Sequence, residues 1–142
     1  MNEQTTAPVV KTILVVDDDQ VILSAVTLML QSTGYKILTV TSGGEILPIA
    51  RKQKVDLILM DLTFPPDEAN IGSPLHDGFF VIEWLRRTSE AENIPIIIIS
   101  GTDPAKYKAR ALALRVVACL QKPLNKDEVL AAIEKVLVGN QS

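Results

Sequence analysis

The six residues Asp56-Leu57-Ile58-Leu59-Met60-Asp61 constrain this chain more than any other stretch. A short apolar run bounded by turn signals reads as a strand covered on both faces. Such a strand must end where the chain meets water. This one ends on Asp61, and Pro65 and Pro66 soon forbid regular structure. An ionised carboxylate at the mouth of an apolar strand is unfavourable without partners. What Asp61 faces is therefore the question for the rest of the chain.

The same pattern recurs on both sides of it. Residues 11–16 read as a strand, with Ile13-Leu14-Val15-Val16 as its buried part, ending in Asp17-Asp18-Asp19. Val21, Ile22, Ala25, Val26, Leu28 and Met29 then make an apolar stripe at helical spacing. Asp19 is its expected N-cap and Gly34 its stop. Residues 37–40 read as a second strand, and residues 43–54 as a helix that Pro48 should kink or start late. After Asp61, residues 63–76 form an aperiodic loop rich in Pro, Asn, Gly and Ser. It is longer than the roughly 2–6 residues usual between a strand and a helix.

Phe80, Trp84 and Leu85 begin the next helical stripe, and Phe80 and Trp84 are expected in the core. Pro95-Ile96-Ile97-Ile98-Ile99-Ser100 reads as a fourth buried strand that ends on a hydroxyl. Asp103-Pro104 supplies a cap and a proline at the first helical position, for a helix reaching about residue 115. Residues 116–120 form the fifth strand, followed by Lys122-Pro123. Asn125-Lys126-Asp127-Glu128 resembles a capping box, Val129, Leu130, Ile133, Val136 and Leu137 form the last stripe, and Gly139 ends it.

Five β-α units with near-continuous apolar strands mean an α/β fold: a five-stranded parallel sheet, doubly wound, with helices on both faces. Right-handed crossovers leave few topologies. In such sheets the chemistry sits beyond the carboxyl ends of the strands, near the switch in strand order. Polar groups arrive there from four strands: Asp17-Asp18, Asp61, Ser100 with Thr102, and Lys122. The second strand delivers only Thr41 and Ser42.

Composition narrows the classes. A length of 142 residues suits one core, here assigned to residues 9–139 between tails at 1–8 and 140–142. A net charge of -3 argues against a basic nucleic-acid-binding surface. No apolar run approaches the roughly 20 residues that span a bilayer, so no membrane partner is expected. The first ten residues lack a signal-segment pattern, and a lone cysteine, Cys119, fits a reducing compartment. The expectation is a cytoplasmic protein.

Asp17, Asp18 and Asp61 brought together would repel one another, and such a cluster raises a pKa or demands a cation. Lys122 supplies one positive charge. An all-oxygen donor set excludes a zinc-type site and suits Mg²⁺. Carboxylates, a metal, a lysine and a hydroxyl are the inventory of phosphoryl transfer, and a carboxylate is an accepted nucleophile for it. Asp61 is the candidate.

These residues resemble the receiver domain of two-component response regulators, the CheY-like family, over nearly the whole chain. The likeness rests on Val15-Val16-Asp17-Asp18, Leu57-Ile58-Leu59-Met60-Asp61, Gly78, Ile99-Ser100-Gly101 and Lys122-Pro123, in that order after successive strands. It implies the flavodoxin-like strand order 2-1-3-4-5 and Asp61 as phosphoacceptor. It implies Mg²⁺ on Asp18, Asp61 and the Thr63 backbone carbonyl, with Asp17 acting through a water. Ser100 would bond the phosphoryl group, Lys122 would pair with it, and the Lys122-Pro123 bond would be cis. The implied partner is a histidine kinase or histidine phosphotransfer protein, with a phosphorylation-dependent dimer compatible with the family. Catalysis would be limited to self-phosphorylation and self-dephosphorylation.

Two features depart from the family pattern. Members usually carry Tyr or Phe three residues before the lysine, where this chain has Cys119. Without a ring there, the output is expected to travel through backbone and aliphatic packing. The loop at 64–76 is also longer than usual and could carry part of the signal.

Two rival readings stand beside this one. Asp17-Asp18-Asp19-Gln20-Val21 also fits the start of haloacid-dehalogenase-like phosphatases, with Asp17 as nucleophile and Asp19 as acid/base. No acidic pair for the metal follows Lys122 at a strand end, and the chain is short for that fold. The other is an interaction module that never accepts phosphate, against which the acid set and Lys122 argue. His76 reads as a solvated loop residue, and Cys119 as a small buried apolar one.

Overall fold

The computed structural model describes residues 10–62 and 78–138. Residues 1–9, 63–77 and 139–142 lie outside the described residues, and with them the loop expected at 63–76, Thr63, His76 and Gly139. The elements are β1 (Thr12–Val16), α1 (Gln20–Leu30), β2 (Lys36–Val40), α2 (Ile46–Lys52), β3 (Leu57–Asp61), α3 (Gly78–Leu85), β4 (Ile96–Ser100), α4 (Lys108–Ala113), β5 (Ala118–Gln121) and α5 (Lys126–Leu137). Short 3-10 turns, Gly43–Glu45 and Pro104–Lys106, lead into α2 and α4.

The strands form one parallel sheet in the order β2-β1-β3-β4-β5. Every residue of β1, β3 and β4 is buried, whereas the outer strands β2 and β5 are largely half-buried. Alternation along each inner strand feeds two cores. Leu14, Val16, Ile58, Met60, Ile96 and Ile98 point to the side of α2, α3 and α4 and meet Ile46, Phe79, Ile82 and Ala111. Ile13, Val15, Leu57, Leu59, Ile97 and Ile99 point to the side of α1 and α5 and meet Leu23, Val26, Leu30, Val129 and Ile133.

The helix ends follow the expected chemistry. Asp19 accepts from the Val21 N–H at 2.8 Å and Asn125 from the Glu128 N–H at 3.1 Å, each satisfying a first-turn donor. Gly34 takes a left-handed φ of 89° just beyond α1. α2 starts late, at Ile46, so Pro48 falls in the first turn, where a missing N–H has no intrahelical partner to lose.

Three expectations need correction. Phe80 and Trp84 are 45% and 39% exposed, and the core positions of α3 are Phe79, Val81, Ile82 and Leu85. The run Gly78-Phe79-Phe80-Val81-Ile82-Glu83-Trp84-Leu85 is apolar nearly all round, so periodicity could not choose its inner face. Contact did: a Cβ on Gly78 would stand 2.3 Å from Leu62 Cδ2 and 3.2 Å from the Asp61 carbonyl oxygen, so the helix starts pressed onto the end of β3. The Asp103-Pro104 cap opens the 3-10 turn, and α4 proper covers only Lys108–Ala113. β5 begins at Ala118 because Arg115 turns left-handed, with φ 61°, and the Val116 N–H bonds the Ala111 carbonyl to close α4.

Candidate functional site

The strand order changes direction at β1 and β3, and their ends carry the acids. Asp17 follows β1 and Asp61 closes β3 beside it. One carboxylate oxygen from each of Asp17, Asp18 and Asp61 lies within 4.8 Å of the others. β4 sets Ser100 on the far side of Asp61, and β5 delivers Lys122, whose N–H bonds the Ser100 carbonyl at 2.8 Å. The Lys122-Pro123 peptide bond is cis. The juxtaposition expected of Asp17, Asp18, Asp61, Ser100 and Lys122 is therefore present.

The charges are unequally matched. Lys122 Nζ donates to Asp61 Oδ1 at 2.8 Å and stands 3.6 Å from Asp17 Oδ2. Asp17 is 3% and Asp61 9% exposed, whereas Asp18 is open to solvent. Asp17 Oδ1 accepts from the Asp19 N–H at 2.8 Å, while its buried Oδ2 has no hydrogen-bond partner among the described residues. Burial pushes the Asp17 carboxyl up to about 6, against the Asp19 hydrogen bond and with the help of the Asp61 charge. Burial raises Asp61 as well, opposed by the hydrogen bond from Lys122. Burial alone would lower Lys122, but its bond to Asp61 and the two nearby carboxylates outweigh that and hold the ammonium up.

Three acids against one ammonium leave a deficit of positive charge and one orphaned buried oxygen. A hard cation with oxygen ligands answers both, and this donor set fits Mg²⁺. Beside the acids a shallow cavity of about 190 Å³ is bordered by Thr41, Ser42, Gly43, Met60, Gly78 and Val81. Glu45 accepts from the Thr41 N–H, Thr41 Oγ1 and Ser42 Oγ at 3.0–3.3 Å, fixing this rim. Ser100 is 1% exposed, and its Oγ accepts from the Thr102 N–H at 3.0 Å. Its one proton remains to be donated, so the serine is held as a donor. That backbone partner carries no sequence signal of its own.

Other acids do structural work. Asp19 caps α1. Asp56, at the opposite end of β3, accepts from the Thr12 N–H at 2.8 Å and stands 3.7 Å from Lys54 Nζ. Arg86 was not anticipated. It donates to the carbonyls of Leu114, Glu92 and Ile94 and so ties α3 to the turns before β4 and β5.

The family model for the response regulator receiver domain matches residues 13–134. PilH of Pseudomonas aeruginosa is 30% identical over 127 residues, 89% of this chain and 98% of that protein. The cell cycle response regulator CtrA of Brucella ovis is 29% identical over 88% of this chain, which spans 49% of CtrA. The chemotaxis protein CheY4 of Vibrio cholerae superposes with a TM-score of 0.77 at 27% identity, covering 91% of this chain and 100% of CheY4. The chain belongs to the response regulator receiver domain family, and its fold is CheY-like. The phosphatase reading falls with this assignment, since the relatives are response regulators. Among the described residues no helix is long and apolar enough to cross a membrane.

Proposed function

We propose that Asp61 is the phosphoacceptor of this receiver domain, and that a histidine kinase or histidine phosphotransfer protein is its donor. One observation carries the reading: a nearly buried carboxylate at a strand end, bonded to Lys122 at 2.8 Å inside a cluster of two further acids. In the transfer an Asp61 carboxylate oxygen bonds phosphorus as the phosphorus–nitrogen bond of the donor's histidine breaks. Lys122 neutralises charge on one phosphoryl oxygen, and the Ser100 hydroxyl donates to another. Mg²⁺ on Asp18 and Asp61, with Asp17 acting through a water, would neutralise the remainder. The Thr63 carbonyl, also expected in that set, lies outside the described residues.

On this reading the chain is a signalling domain over residues 9–139, and its chemistry is confined to its own Asp61. A dimer formed on phosphorylation and a cytoplasmic setting belong to the same proposal. The test is intact mass after phosphoramidate and Mg²⁺, with mapping of the modified residue. A single phosphoryl group on Asp61 is expected, and a group on Asp17 would overturn the assignment.

A further inference from the structure

Charge is unevenly placed around the mouth of the site. Asp17, Asp18 and Asp19 follow β1, and Glu45 is bonded to the Thr41–Ser42 rim after β2. These acids stand on the β2-β1 side of the sheet. On the β4-β5 side, residues 104–117 carry Lys106, Lys108, Arg110 and Arg115 and no acid, in a chain of net charge -3. Asp103, just before them, accepts from the Ala105 N–H at 3.0 Å and caps the turn. Lys106 and Lys108 are exposed and form no ion pair among the described residues, so their charges do not hold the fold together.

A groove of about 460 Å³ gathers three of these cations and runs to the site. Lys106, Lys108 and Arg110 border it together with Phe79, Thr102 and Tyr107. Its floor is firm: the Phe79 and Tyr107 rings are buried and meet edge-on at 5.6 Å, and the Arg110 guanidinium lies 4.5 Å from the Phe79 centroid. That floor adjoins the acceptor twice. The Thr102 N–H is bonded to Ser100 Oγ at 3.0 Å, and Phe79 follows Gly78, where a Cβ would stand 3.2 Å from the Asp61 carbonyl oxygen. An anion that approaches Asp61 past Asp17 and Asp18 meets repulsion that grows with its own charge. A cationic groove over an apolar floor focuses the opposite field and raises the local concentration of anions.

We propose that Lys106 and Lys108, with Arg110, steer anionic phosphodonors along this groove to Asp61 and so set a preference for donors of higher negative charge. The proposal rests on Asp61 as acceptor and adds which donors reach it fastest. The lysines touch no reacting atom; they act on the encounter that precedes transfer. With an acyl phosphate as donor, an Asp61 carboxylate oxygen bonds phosphorus while the bond from phosphorus to the acyl oxygen breaks. The carboxylate of the donor leaves with that electron pair. Removing the two ammonium groups penalises a dianionic donor more than a monoanionic one, because the lost attraction scales with the charge attracted.

The test follows labelling of the full chain by intact mass, with Mg²⁺ and either acetyl phosphate or phosphoramidate. Near neutral pH the first is a dianion and the second a monoanion. The readout is the ratio of the two labelling rates at equal donor concentration. In Lys106→Gln/Lys108→Gln the ratio should fall about fivefold at low salt, whereas Lys106→Arg/Lys108→Arg should keep the native ratio. Raising salt from about 0.05 M to about 0.5 M should lower the ratio of the native chain and leave that of the glutamine variant nearly level. An unchanged ratio in the glutamine variant, or an arginine variant that falls as far, overturns the proposal while Asp61 stays the acceptor. Absence of label on Asp61 from either donor overturns the phosphoacceptor reading, and this proposal with it.

Discussion

Lys122 Nζ is bonded to Asp61 Oδ1 at 2.8 Å, and the same ammonium stands 3.6 Å from Asp17 Oδ2. One cation thus serves two nearly buried carboxylates, and it serves them unequally. Asp61 takes the hydrogen bond, while Asp17 carries the unmet part of the electrostatic demand.

That inequality separates the two aspartates by mutation. Asp61→Asn should abolish incorporation of a phosphoryl group from phosphoramidate and Mg²⁺, since the attacking carboxylate is gone. Asp17→Asn should only slow it. Intact mass over a time course distinguishes them, and label kept by Asp61→Asn but lost by Asp17→Asn reverses the assignment.

The metal-free fold should tolerate Asp17→Asn well. The folded carboxyl is raised from 3.8 to about 6, so the folded chain binds this proton more readily than the unfolded chain. Its contribution to stability is full below about pH 4 and is lost as pH rises through about 6. At pH 7.5 the neutral amide should therefore stabilise the metal-free protein by about 1–3 kcal/mol, measured by urea unfolding. A loss of stability would mean that the ion pair with Lys122 at 3.6 Å outweighs the burial of the Asp17 charge.

Mg²⁺ binding should carry the opposite dependence on pH. Protonating Asp17, and Asp61 in the same direction, removes the charge that holds the cation. Affinity should weaken as pH falls below about 6. Calorimetric titrations at pH 5 and pH 7.5 measure it, and equal affinities would place the metal elsewhere.

Lys122→Met should destabilise the metal-free protein by about 1–3 kcal/mol, because two nearly buried carboxylates lose their only ion-pair partner among the described residues. Mg²⁺ should restore part of the loss. A melting curve indifferent to Mg²⁺ would show that the lysine and the metal do not share this charge.

Phe79 and Phe80 are neighbours of opposite role. Phe79 is 1% exposed and Phe80 45%. Phe79→Ala should cost about 3–5 kcal/mol, as for a fully buried ring, and Phe80→Ala clearly less. Parallel urea unfolding of the two variants checks which face of α3 the core accepted.

Much of this protein is legible in residue order alone. Buried strands announce themselves as apolar runs such as Ile96-Ile97-Ile98-Ile99, because a central parallel strand is covered on both faces. Their polar endings, Asp17, Asp61, Ser100 and Lys122, announce a shared edge, because parallel strands place all their carboxyl ends together. Caps at Asp19 and Asn125 are local chemistry and were equally visible.

What only the tertiary structure decided depends on contacts between distant segments. No periodicity separates Phe79 from Phe80 in a helix that is apolar nearly all round. The choice was made by Gly78 against Leu62 and the Asp61 carbonyl. The late start of β5 follows from the left-handed turn at Arg115 and the closure of α4 by Val116. The unequal sharing of Lys122 between Asp61 and Asp17, and the burial of Tyr107 beside Cys119, join residues far apart in sequence. Distances and desolvation of that kind exist only once the chain has closed on itself, and they set how one lysine is shared between two carboxylates.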